Sequence, residues 1–191
     1  HASLLSNTTG GSNTALGTNA LYSNTTASNN TAVGYQAGYA ATTSGDNTFF
    51  GYQAGVATTG NRNTIVGFLA GGGLTTGTFN NFFGTQAGQA VTTGGKNTIL
   101  GCYSGNQGGL DIRTASNYAV ISDGDGNPLI STSQGRSVAL EGAVPQTGEG
   151  ITFPATQVAS SNANTLDDYE EGSWTPGISA ASGSGGTVSA S

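Results

Sequence analysis

Two carboxylates held close together can move protons or hold a metal ion, so the acidic side chains are the first candidates for chemistry. Four of the ten Asp and Glu residues lie together in "LDDYEEG": Asp167, Asp168, Glu170 and Glu171. No His, Cys or basic residue is near them, and the cluster reads as a solvated acidic turn at a module boundary. A second group, Asp123, Asp125 and Asn127 in "DGDGN", matches the first three ligand positions of a calcium loop. The match then fails, because Pro128 stands where that loop needs Gly and Gln134 where it needs Glu. A plain turn is the better reading. Glycoside cleavage needs two carboxylates flanking the scissile bond. Asp46 is the only acid before Asp111, so no second one falls on a neighbouring repeat. Cys102 is alone and closes no disulfide within the chain. The expectation is no catalytic residue, no cofactor, no metal ligand and no enzymatic activity.

Composition narrows the remaining classes. The chain has 191 residues, of which 7% are charged and 33 are Gly. Typical proteins carry roughly 25% charged residues. Only 35% of the chain is hydrophobic, and much of that is Ala, which is too little for a conventional globular core. Disorder of this hydrophobicity usually comes with high charge or abundant Pro, and neither is present. A backbone-dominated fold of stacked β-coils fits better. The net charge of −6, with Arg62, Lys96, Arg113 and Arg136 as the only Lys or Arg side chains, argues against nucleic acid. No apolar run approaches the ~20 residues that span a membrane, so membrane insertion is not expected. No signal peptide is visible in these residues, and a chain starting at His1 rather than Met leads to the expectation of a trimmed N-terminus.

The elements that carry these side chains repeat. The motif Asn-Thr-apolar-apolar-Gly occurs as "NTALG", "NTAVG", "NTFFG", "NTIVG", "NNFFG" and "NTILG", closing at Gly17, Gly34, Gly51, Gly67, Gly84 and Gly101. Those glycines are 17, 17, 16, 17 and 17 residues apart. Three residues past each comes a small residue: Ala20, Ala37, Ala54, Ala70, Ala87 and then Ser104. A Thr-Thr pair precedes each following motif, at Thr25, Thr42, Thr58, Thr75 and Thr92. "SNTTGGS" resembles the end of an earlier copy. A repeat this short and glycine-rich predicts two strands and two turns per coil, stacked in parallel. Six such coils at the usual strand spacing would make a rod about 25–30 Å long.

Both residues before each Gly are apolar, and neighbouring strand residues point to opposite faces. One face can fill the coil's own interior; the other needs a second surface, and a neighbouring copy is the economical one. Phe49, Phe50, Phe82, Phe83, Ile65 and Ile99 are expected in the packed seams, and the six closing glycines at tight bends. The motif Asn suits either a side-chain amide ladder or a left-handed turn position. The Thr-Thr pairs suggest a flat Thr ladder, which invites ice binding; the ordinary β-propensity of Thr accounts for it as well and is preferred.

After Gly105 the period stops. "YAVIS" and "PLIST" flank "DGDGN" and predict a hairpin from about Asn117 to Ser133, with "SVALEG" as a further strand. The chain therefore divides into a solenoid shaft (1–105), a hairpin-containing connector (106–145), an acidic junction (146–176) and a Gly/Ser-rich linker toward a further C-terminal module (177–191). The fold class expected is all-β: a parallel β-solenoid or β-roll of 17-residue coils, intertwined as a homotrimer, followed by a small hairpin region.

"NTAVGYQAG" with its Thr-Thr-x-Gly spacers resembles repeats in bacteriophage tail fibres, those of marine and cyanobacterial phages among them. "NQGGLDIRTASNYAVISDGDGNP" and "ITFPATQVASSNANTLDDYEEGSWTP" resemble the segments that follow such repeats, and "LDDYEEGSWTP" is the most specific of them. The repeat is also similar, more loosely, to the head repeats of trimeric autotransporter adhesins, whose period is shorter. The resemblance implies a structural protein of the virion tail, extracellular, acting in host attachment. Its implied partners are its own copies in a homotrimer, other phage tail or baseplate proteins, and a host cell-surface glycan or protein receptor. The alternatives are a bacterial surface adhesin and, third, a glycan-degrading tailspike.

Overall fold

A computed structural model describes residues 2–132, 137–140 and 150–152. The cluster of Asp167, Asp168, Glu170 and Glu171 and the linker at 177–191 lie outside the described residues. Each motif forms one three-residue strand: β1 (Thr14–Leu16), β2 (Thr31–Val33), β3 (Thr48–Phe50), β4 (Thr64–Val66), β5 (Asn81–Phe83) and β6 (Thr98–Leu100). They pair in parallel and in sequence order, so each motif lies on the same motif of the next coil, with Ala15 on Ala32 and Leu16 on Val33. The protein is a parallel β-solenoid of about six turns.

The expected second strand of each coil is replaced by consecutive turns. The Ala37, Tyr39 and Ala41 amides donate to the carbonyls three residues back, at 3.0–3.3 Å. Left-handed residues drive this path: Gln36, Gln53 and Gln86 all have φ between 51° and 56°. The turns still bond along the axis, as where the Gly38 amide donates to the Ala54 carbonyl and the Gly55 amide to that of Ala70, both at 2.9 Å.

The motif Asn builds the ladder rather than the left-handed turn. The Asn47 amide donates to Asn30 Oδ1, Asn63 to Asn47, Asn80 to Asn63 and Asn97 to Asn80, at 2.9–3.0 Å. Asn63 Nδ2 also donates to the Gly77 carbonyl and Asn80 Nδ2 to that of Gly94, both at 3.0 Å. These amides are buried, so each bond satisfies groups that would otherwise be costly inside the fold. The left-handed position is the residue before, where Asn29, Asp46, Arg62, Phe79 and Lys96 have φ of 58–62°.

The corner glycines are required. A Cβ on Gly34 would lie 2.3 Å from the Gly51 carbonyl oxygen, and one on Gly67 2.1 Å from that of Gly84, with φ of +134° and +139°. Only Gly combines that angle with that approach.

The interior column comprises the first residue of each apolar pair, and Ala32, Phe49, Ile65, Phe82 and Ile99 are all fully buried. Phe50 and Phe83, the second residues of their pairs, point to the opposite face as alternation expects, and in the single chain they are exposed. A second interior column runs Ala20, Ala37, Ala54, Ala70, Ala87. It ends on Tyr103 rather than Ser104, because the Gly88 amide donates to the Tyr103 carbonyl as Gly71 does to Ala87. The last coil closes one residue early and fills the end of the core with a ring. The Tyr103 hydroxyl donates to the Leu110 carbonyl at 2.7 Å, and burial pushes the phenol pKa well up.

Thr58 is a second shift. The Thr59 amide donates to Thr75 and that of Thr75 to Thr92, so Thr59 and not Thr58 heads the third pair. Thr58, seven residues past its corner glycine like Ala41 and Leu74, joins the buried column of Ala41, Leu74 and Val91, and the residue this coil lacks falls after Thr59.

The early coils solve the volume problem differently. Where later coils place Gly55 or Gly88 against the Phe49 or Phe82 ring, the first two place Leu4 and Leu21, with φ of 51° and 48°. Their strand residues are Ala15 and Ala32, which leave room for the leucines. A bulky strand residue with Gly is exchanged for Ala with a left-handed Leu.

Stacking continues past the strict period. After a 21-residue spacing the Tyr118 amide donates to Asn97 Oδ1 at 2.9 Å, continuing the Asn ladder. The extra residues form a small hairpin, β7 (Asn106–Gln107) with β8 (Leu110–Asp111). β9 (Ala119–Ser122) then pairs in parallel with β6. β10 (Pro128–Thr132) returns antiparallel to β9, which is the expected hairpin, and β11 (Ser137–Leu140) is the strand expected in "SVALEG". β12 (Gly150–Thr152) adds in parallel to β11.

Two outcomes test this account. Asn63→Leu leaves the Asn80 amide and the Gly77 carbonyl without their partner, and urea unfolding should show a loss of about 3 kcal/mol. Ala32→Phe should overpack against Leu21 and cost roughly 1–3 kcal/mol, whereas the same change with Leu21→Gly should recover most of it.

Candidate functional site

The groups able to do chemistry are scattered. Asp46, Arg62 and Lys96 are the only charged residues of the six repeats, and all three fall on the left-handed corner column. There Asn29 Nδ2 donates to Asp46 Oδ1 at 3.1 Å, and Arg62 Nε lies 3.5 Å from Asp46 Oδ2. The Arg62 guanidinium also covers the Phe79 ring at 5.2 Å from its centroid. This exposed chain of contacts offers cross-coil cohesion, with one carboxylate already paired to a cation.

Asp111 and Arg113 form a second pair, bridged at 2.7 Å, and the Arg113 hydrogen bond holds the carboxyl below its usual range. The "DGDGN" segment turns on itself. Asp123 Oδ1 accepts the amides of Asp125 and Asn127 at 3.0 and 2.8 Å, while Asn127 Nδ2 donates to Oδ2 at 3.1 Å. That is the geometry of an Asx-type turn between β9 and β10, as the plain-turn reading expected. Among the described residues no three His, Cys, Asp or Glu side chains group as metal ligands, and no helix is long and apolar enough to cross a membrane.

The Thr ladder is also committed to the fold. Thr25, Thr59, Thr75 and Thr92 donate their hydroxyls to main-chain carbonyls of the next coil at 3.0–3.2 Å. The neighbouring column of Thr26, Thr43, Thr76 and Thr93 is exposed but breaks at Gly60. A further Thr column on the strands, Thr14, Thr31, Thr48, Thr64 and Thr98, is interrupted at Asn81, and separate broken columns are not the flat two-dimensional Thr array that ice binding uses.

What remains is an apolar surface. The second residue of each apolar pair forms an outer column of Leu16, Val33, Phe50, Val66, Phe83 and Leu100, extended by Ile121 on β9. Leu16 is 67% exposed, Phe50 54% and Leu100 54%, and stacked in register they make a continuous apolar strip rather than scattered single residues. Across the glycine corner a second column carries Tyr35, Tyr52 and Phe68, all exposed. Their rings stack at 5.2 and 5.3 Å with 18° between planes. Thr18 and Thr85 continue that column at its ends, since the Gln36 amide donates to Thr18 and the Gln86 amide to Phe68. Because the rings face one another, they present edges outward, a poor platform for stacking a sugar and a good one for packing. The doubled apolar motif signalled this surface in the sequence; the aromatic column across the corner was not anticipated, although Tyr35, Tyr52 and Phe68 recur one residue after each Gly.

Comparison with protein-family models, with curated proteins and with solved structures finds no match for this chain.

The turn makes a pH prediction. Hydrogen bonding from Asn127 first, and from neighbouring amides, lowers the Asp123 pKa in the folded chain. A lowered folded pKa stabilises the turn above the unfolded value, and that contribution is lost as pH falls through the folded one. An NMR titration should place the Asp123 carboxyl below the ordinary Asp range of about 3.9, and Asn127→Ala should move it back up.

Proposed function

We propose that this chain is the shaft of a phage tail fibre or spike: a homotrimeric, extracellular rod that holds a host-binding region away from the virion. The observation that carries the reading is the uncharged apolar surface: an outer column that runs along every coil, joined on three of them by the aromatic column of Tyr35, Tyr52 and Phe68. A monomer gains nothing by exposing it, whereas copies of the same rod cover it along their full length. The backbone ladders make the coil stack stiff, as a spacer requires, and the charges of the six repeats are confined to one corner where they stay solvated. Receptor contacts on three parallel copies would add through avidity rather than through one deep pocket. The resemblance of "NTAVGYQAG" and "LDDYEEGSWTP" to tail-fibre segments supplies the biological setting.

The native mass tests it. Light scattering should give three times the 18.8 kDa of the chain. Phe50→Asp alters an exposed side chain, so the single chain should keep its β circular dichroism while the assembly falls to monomer mass. A wild-type chain that runs as a monomer, or a Phe50→Asp variant that stays trimeric, overturns the reading.

A further inference from the structure

One interior column changes character along the rod. Main-chain bonds stack Asn7, Asn24, Ala41, Thr58, Leu74 and Val91 on one another, so the column is polar in the early coils and hydrocarbon in the later ones. Three residues further on, Ala27, Ser44, Gly77 and Gly94 form a second column, whose carbonyls accept the side-chain amides of the Asn ladder. The two columns face each other. A Cβ on Gly77 would touch Leu74 Cδ1, and one on Gly10 would touch Asn7 Oδ1, each at 2.6 Å. Among the described residues, six buried side-chain N or O atoms have no hydrogen-bond partner in the protein. Five of them lie here: Asn7 Oδ1, both ends of the Asn24 amide, Ser44 Oγ and Thr58 Oγ1. Asn24, Ser44 and Thr58 are at most 2% exposed. Four successive coils thus carry one unpartnered polar side chain each, along a single edge of the core.

Polar groups in a dry interior are costly, and native cores satisfy them with protein groups or with ordered water. Direct pairing is opposed by the spacing. Equivalent atoms on neighbouring coils lie about 4.8 Å apart, beyond hydrogen-bond reach. A water with arms of about 2.8 Å spans that gap at an angle of about 120°, near its own tetrahedral preference. At the first step the two atoms that face one another are both oxygens: Asn7 Oδ1 and Asn24 Oδ1 lie 2.6 and 2.9 Å from the same point, the place of a Cβ on Gly10. Two carbonyl oxygens cannot bond each other, whereas a water donates to both. Further along, Asn24, Ser44 and Thr58 flank Ala41, which has three fewer side-chain carbons than Leu74 two coils on. We propose that these four coils hold a file of bound water, whose molecules bridge Asn7 to Asn24, Asn24 to Ser44 and Ser44 to Thr58. The file begins at the half-buried Asn7 and stops after Thr58, where the fully buried Leu74, Val91 and Ile112 offer only carbon. Water there takes the part that methyl groups take in the later coils, and it does so with directional bonds.

A high-resolution crystal structure of the whole chain tests the file. Ordered waters are expected within hydrogen-bond distance of Asn7 Oδ1, the Asn24 amide, Ser44 Oγ and Thr58 Oγ1, with none beside Leu74 or Val91. The proposal is overturned if these polar groups bond instead to one another or to the main chain with no water between them. Water beside Leu74 and Val91 as well overturns it too, because that pattern is general permeation rather than a built site. Thr58→Val keeps the side-chain shape and removes the hydroxyl. The water next to that position should then be lost while those at Asn7 and Asn24 remain, and its retention defeats the assignment. Solution NMR supplies a second reading on the unmodified chain. The Asn24 side-chain amide protons should cross-relax with water with the sign of a slowly exchanging internal molecule. Visible Asn24 amide protons without that cross-peak leave the core dry and the proposal wrong.

Discussion

Each coil is hydrogen-bonded to the next at the same positions, and the remaining features follow from that vertical registry. Main-chain bonds run along the axis at the strand, at the turns and at the Thr column. Every residue therefore lies directly on its counterpart, about one strand spacing away. At Gly34 and Gly67 this leaves carbonyl oxygens where a side chain would begin, which is why the repeat cannot spare those glycines. The Asn ladder is the side-chain form of the same constraint, as each amide can serve its neighbour only because the neighbour is in register.

Stacking like on like also governs which residues are tolerated. Like charges one coil apart repel, and cross-strand neighbours on a face interact strongly enough to matter. The three charged repeat residues share one left-handed column at an exposed corner, and there Asp46 and Arg62 alternate in sign. Aromatic rings and hydroxyls gain from the same stacking: Tyr22 lies on Tyr39 at 5.2 Å, and Thr hydroxyls bridge successive coils. Low charge in this chain is thus a product of its geometry.

Much of this was legible because periodicity and backbone constraint leave marks in the residue types. The spacing of Gly17 to Gly101 gave the coil, the doubled apolar positions gave one inner and one outer column, and "DGDGN" gave the turn between β9 and β10. The exceptions were decided by three-dimensional volume. Thr58 goes inside because it occupies the same step of the coil as Ala41 and Leu74, and its neighbour Thr59 takes the ladder. Tyr103 replaces the aligned Ser104 because the final coil needs filling. The second strand of each coil was misjudged because Gln36 and Gln53 adopt left-handed angles that nothing in their chemistry advertises. Compensation between Leu21 and Ala32 was invisible for the same reason, since it appears only when the two columns are seen side by side.

That compensation gives the rod a direction. Its first coils enclose Ala15, Ala32 and the polar Asn24, while its later ones enclose Phe82, Val91, Ile99 and finally Tyr103. In a fold where each unit touches only its neighbours, local stability adds up unit by unit along the axis. Opening should therefore start among the early coils and travel toward the ring-plugged end, and closing should run the other way, from the plug outward. The same sequence repeated six times thus behaves like a zipper with a fastened end and a loose one.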